Sequence, residues 1–87
     1  MRNLDWLEKG TRVVFKSEPF ELWRTGTVKR VYHLSSLITV VKDGSNSKPI
    51  DVKFGNIVGE ATDRLVSYPF YWGNVLEHLT EEAKENL

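Results

Sequence analysis

The chain predicts a single, mostly β domain: a five-stranded small barrel followed by a C-terminal α-helix. Three observations carry this reading. Short β-rich runs recur between turn signals. Within them, apolar and polar residues alternate with the period of a half-buried strand. The last third changes to helical spacing. With 87 residues the chain encloses one core, and a domain of that size buries only about 60–65% of the surface its unfolded chain exposes. The expected division is a barrel core at 8–67, an aromatic connector at 68–73 and a helical arm at 74–87.

The first strand follows Gly10, which suits a left-handed position ending the turn at Leu4–Lys9. In Thr11–Lys16, Val13 and Phe15 share one face while Arg12 and Lys16 share the other. Pro19 interrupts the ladder, since it has no N–H to donate. The second strand runs over Trp23–Tyr32. Val28 and Val31 are three apart, so a bulge near Lys29 and Arg30 is needed to turn both inward. Leu37–Lys42 is the third strand, rich in β-branched residues. Asp43-Gly44 then marks a tight turn. The fourth strand, Pro49–Phe54, points Ile50, Val52 and Phe54 in and Asp51 and Lys53 out. Gly55–Gly59 reads as a turn that inserts Ile57 or Val58 into the core, and Arg64–Ser67 as the fifth strand, ended by Pro69. Phe15, Val28, Val40, Val52 and Phe54 are the expected core.

After the strands, four of the ten aromatic residues crowd into Tyr68-Pro69-Phe70-Tyr71-Trp72. Asn74, with Glu77 three residues later, reads as a capping box. Leu76, Leu79, Ala83 and Leu87 then form one apolar stripe of a helix over 74–86. That stripe packs either on its own barrel or on a second copy, giving a homodimer through the C-terminal helix.

The run Lys9-Gly10-Thr11-Arg12-Val13, then Trp23-Arg24-Thr25-Gly26-Thr27-Val28, then Ile38-Thr39-Val40-Val41-Lys42-Asp43-Gly44-Ser45-Asn46 resembles Tudor-like and KOW-like SH3 barrels over residues 8–58. The resemblance implies an SH3-like fold and binding rather than catalysis. Tudor-like barrels read methylated side chains through an aromatic cage, and Phe20, Trp23 and Tyr32 supply three walls. Val40–Gly44 has no ring where such cages take one, which argues against that ligand. KOW-like barrels contact RNA, ribosome or polymerase, and Lys29 and Arg30 lie where that reading wants positive charge.

Composition narrows the function classes. The net charge is zero, yet residues 1–58 carry ten Lys or Arg against six Asp or Glu, and residues 59–87 carry two against six. No cysteine is present, which removes disulfides, thiolate metal sites and a thiol nucleophile. Glycine-rich phosphate loops, paired-histidine metal motifs and nucleophile elbows are absent from the sequence. His78 and Glu82, four apart, are too few to hold a metal. Neither enzymatic activity nor a cofactor is expected. Apolar runs stay far below the roughly 18 residues of a membrane span, and the N-terminus has no leader pattern; a cytoplasmic protein is the expectation.

The leading expectation is a non-catalytic module that docks on a protein partner, as adaptor or small inhibitor, through Phe20, Trp23, Tyr32, Tyr71 and Trp72, aromatic types favoured at interface hot spots. Trp6 adds to the same reading. The alternative is an RNA- or single-stranded DNA-binding barrel in which Arg12, Lys16, Arg24, Lys29 and Arg30 neutralise phosphates while Trp23 and Tyr32 stack on bases.

Overall fold

The structure is a computed structural model that describes residues 4–17, 22–44 and 48–87. The break at Pro19, the ring of Phe20 and the tip of the Asp43–Ser47 turn lie outside these residues. Five antiparallel strands form one sheet: β1 (Arg12–Ser17), β2 (Leu22–Tyr32), β3 (Leu37–Lys42), β4 (Ile50–Lys53) and β5 (Ile57–Glu60). Their order is β4-β3-β2-β1-β5. The expected barrel is therefore not closed, because β4 and β5 are the two edges of the sheet and no ladder joins them.

The bulge expected in the second strand is present. The β2–β3 register runs Val28↔Val40 and then Arg30↔Thr39, which skips Lys29. Val28 is thereby fully buried, and Val31 packs against the same cluster. Gly26 sits where this bent strand comes closest to its neighbours: a Cβ there would lie 2.6 Å from the Val41 carbonyl oxygen and 3.2 Å from the Phe15 ring. Gly44 takes the positive φ (+68°) that the Asp-Gly turn requires.

Two clusters form, one on each face of β1. The inner cluster joins Leu7, Val13, Phe15, Val28, Ile38, Val40, Val52 and Ile57. Of the expected core, Phe15, Val28, Val40 and Val52 are buried; Phe54 opens a 3-10 turn, Phe54–Asn56, and packs half-buried against the same cluster. The outer cluster joins Val14, Ala61, Val66, Phe70, Val75 and Leu79. It covers a strand face that the sequence assigned to solvent.

The fifth strand is Ile57–Glu60, not Arg64–Ser67. The first pairs with β1 across a bulge at Val14/Phe15. The second lies in an irregular run that crosses the outer face and buries Val66. The expected helix over 74–86 is also divided. Trp72–His78 is a 3-10 helix, Leu79 is extended and bridges Ala61, and α1 is only Glu81–Glu85. Thr80 rather than Asn74 caps the α-helix, its Oγ1 accepting the Ala83 amide proton at 3.2 Å. The backbone explains the interruption. Ala61 donates to the Arg12 carbonyl, and Thr62 donates to the carbonyl of His78 at 3.0 Å. Thr80 donates to the Glu60 carbonyl at 3.0 Å. Residues 78–80 act as strand partner to the end of β5, so the apolar stripe splits. Leu79 is buried and Ala83 half-buried against the outer cluster, whereas Leu76 and Leu87 are exposed.

Candidate functional site: a tryptophan-lined groove

The end of β2 that carries Trp23 is shared between two neighbours. On one side Trp23 stands opposite Lys16 of β1. On the other, β3 has already ended, and Phe70 takes its place through reciprocal backbone bonds of 2.8 Å to Trp23. Phe70 is buried beneath this pairing, and the next two residues turn outward: Tyr71 is 72% and Trp72 58% exposed. The aromatic run thus divides into an anchor and an exposed pair. Trp72 returns over Trp23, with ring centroids 4.9 Å apart and planes tilted by 53°.

These two rings form one wall of a groove of about 930 Å³. Trp6, from the N-terminal turn, lines it too, so all three tryptophans of the chain meet there. Its other walls are β5 and the α1 segment. The charged residues in the lining are Asp5, Glu60 and Glu82, all acidic.

The residues proposed from sequence are distributed unevenly. Trp23 and Trp72 come together, with Tyr71 adjacent in the chain. Tyr32 lies at the opposite end of β2, where the Arg30 guanidinium sits 5.7 Å from its ring centre. Phe20 lies outside the described residues. Of the basic set, Lys29 and Arg30 are exposed. Lys16 is on the outer face beside Trp23, and Arg24 stands opposite the inward-facing Phe15. The five cations do not form one surface.

Arg12 is drawn inside. Its Nη1 and Nη2 donate to Asp43 Oδ1 and Oδ2 at 2.9 and 2.6 Å. Nε donates to the Thr62 carbonyl at 2.9 Å, and Nη2 also to that of Arg64 at 2.9 Å. Asp43 further accepts from Thr25 Oγ1 and from the Val66 amide. Burial alone would raise the Asp43 pKa, but the hydrogen bonds from Arg12, Thr25 and Val66 and the charge of Arg12 outweigh it and hold the carboxyl below its usual range. Arg12 therefore clamps the 62–66 run to the sheet.

His78 and Glu82 are not helical neighbours, because the break at Leu79 separates them. The imidazole is buried, stacked on Phe70 at 4.0 Å, and its Nδ1 has no hydrogen-bond partner among the described residues. Among those residues no group of three or more His, Asp or Glu side chains is placed to hold a metal, and no helix is long and apolar enough to cross a membrane.

Sequence reasoning names Trp23, Trp72 and Trp6 for one binding reading but gives no role there to Asp5, Glu60 or Glu82 and does not show the groove itself. The walls come from segments as far apart as Asp5 and Glu82, so no local motif marks them. No family model matches the chain, and no curated protein or solved structure matches it either.

Proposed function

We propose that the chain is a non-catalytic docking module of SH3-like build, which holds a segment of a partner protein in the tryptophan groove. The convergence of Trp6, Trp23 and Trp72 on one open groove carries this reading. Indole rings give large contact area at small entropic cost and are the commonest hot-spot side chains. The SH3-like build is supported by the long β2, which pairs with β1 over one half and β3 over the other, and by the short turn that links β4 to β5. The fold alone does not fix a function, so the groove has to carry it. The alternative of nucleic-acid binding loses Arg12 to the internal ion pair and retains only Lys29, Arg30 and Tyr32 as a cluster.

A photo-crosslinking residue at position 72, with a control at the exposed Asp51 on β4, tests the reading in the source cell. Discrete protein adducts at 72 that are missing at 51 are the expected result. Absence of adducts at 72 refutes it. So does single-stranded RNA binding at physiological salt that Lys29→Glu with Arg30→Glu abolishes, since that places the working surface on the other end of β2.

A further inference from the structure

We infer that the groove takes an extended, arginine- or lysine-bearing segment of the partner, laid along the edge of β5. This rests on the docking reading above and adds the chemistry of the occupant.

The first argument is directional. Ile57, Val58, Gly59 and Glu60 all line the groove. Successive side chains of a strand point to opposite faces, so a groove that touches four in a row follows the edge of the strand and not one face. β5 is an edge of the sheet. Among the described residues, Val58 and Gly59 have no backbone bond beyond the β1 ladder. Just past them the chain pairs with itself: Thr80 donates to the Glu60 carbonyl, and Ala61 bridges Leu79. The same edge therefore already accepts one extended segment; before it, Ile57 and Gly59 are buried and Val58 is the half-buried position that borders the groove. Extended peptides bind such edges by main-chain hydrogen bonds, and pockets for alternate side chains give specificity.

The second argument is electrostatic. Every charged residue in the lining is a carboxylate: Asp5, Glu60 or Glu82. On α1 the neighbouring Lys84 is paired with Glu81 at 3.0 Å. A cation over an indole face is attracted by the ring quadrupole, and tryptophan is the strongest such partner. Arg and Lys suit this lining along their whole length, because the methylene stem lies on the rings while the charged head reaches Glu60 and Glu82. An acidic segment meets like charge. A neutral one covers Glu60 and Glu82 without offering them a cation, which is unfavourable.

The test uses three pentapeptides with blocked ends, Val-Arg-Val-Arg-Val and its counterparts with Gln or Glu in place of both Arg, titrated into the full chain. The indole N–H resonances of the three tryptophans report occupancy of the groove directly. The Arg peptide should shift them, and its affinity should fall as salt rises from about 0.05 to about 0.5 M, where screening shortens the reach of exposed charges to a few ångströms. Glu60→Gln and Glu82→Gln should each weaken it about 2- to 5-fold, the scale of exposed ion pairs. If the Gln or Glu peptide binds equally well, the proposed charge preference is wrong while docking survives. If none of the three peptides moves an indole signal, the docking reading falls as well.

Discussion

The two faces of β1 are packed by different means. On the inner face, Val13 and Phe15 meet residues from every other strand and from the N-terminal turn, all apolar. On the outer face, Val14 meets a cover made of the C-terminal third, which has little regular structure. That cover needs polar fasteners as well as apolar contact: the Arg12–Asp43 pair, the Thr25 and Val66 bonds to Asp43, and the Trp23–Phe70 and Ala61–Leu79 bridges. A sheet can thus be curled by hydrophobic alternation alone, while an irregular cover has to be tied down group by group, because its backbone polar atoms find no partners within itself.

Loss of the inner cluster should be the most damaging change. Phe15→Ala is expected to cost about 3–5 kcal/mol, against a total of roughly 4–13 kcal/mol for a domain of this length. Chemical denaturation should show the midpoint lowered accordingly, with amide protection reduced on all strands. A stable Phe15→Ala variant would remove the distinction between the faces.

Breaking the principal fastener comes next. Asp43→Ala leaves the half-buried Arg12 guanidinium without its counter-charge, which in a fully buried pair costs about 3–5 kcal/mol and here less. Arg12→Met combined with Asp43→Leu should be less damaging than Asp43→Ala, since no uncompensated charge remains. A double-mutant cycle measures that coupling, and additive effects would contradict the clamp.

Leu79→Ala separates the layers more finely. It should cost roughly 2–5 kcal/mol and speed hydrogen exchange at the Ala61, Thr62 and Thr80 amides while Val28 and Val40 stay protected. Uniform acceleration would show that the two faces unfold as one unit.

Acid should act on the cover through His78. Burial lowers its pKa; the charge of Glu77 opposes this and that of Arg64 adds to it. The unfolded chain then binds the proton more readily than the folded one. Stability is full above the ordinary value of about 6.5 and falls as pH drops below it toward the folded pKa. Denaturation at about pH 7.5 and about pH 5 should show this loss, and His78→Phe, which keeps a ring on Phe70, should flatten it. An unchanged pH slope in that variant would assign the loss to other groups.

The smallest effect belongs to the rim. Trp72→Ala, at an exposed site, should change stability by no more than about 0.5 kcal/mol while removing one wall of the groove. A large loss would make Trp72 part of the cover and not of a binding surface.

The inner face was readable from the sequence because its evidence is local: alternation in Thr11–Lys16 and Pro49–Lys53, the Val28–Val31 spacing that demands a bulge, and the Asp43-Gly44 turn. The outer face has one signal, the unbroken apolar run Val13-Val14-Phe15, which marks a strand buried on both sides but is too short to name its cover. The capping box at Asn74 and the leucine spacing describe a good isolated helix. The Glu60 carbonyl and the Thr62 amide, which bond to Thr80 and His78, prevail over that propensity and hold Leu79 extended. β5 is hidden in the sequence because Gly55 and Gly59 give a four-residue strand the composition of a turn.

The Arg12–Asp43 clamp also limits how this sequence can drift. Thirty-one positions apart in the chain, the two residues share one electrostatic fate: replacing either alone strands a charge in the interior, while replacing both by apolar residues is tolerable. A mutational path between the ionic and apolar versions crosses a valley, so related sequences should carry both charges or neither, and a library that randomises positions 12 and 43 together should recover few mixed pairs among its folded members.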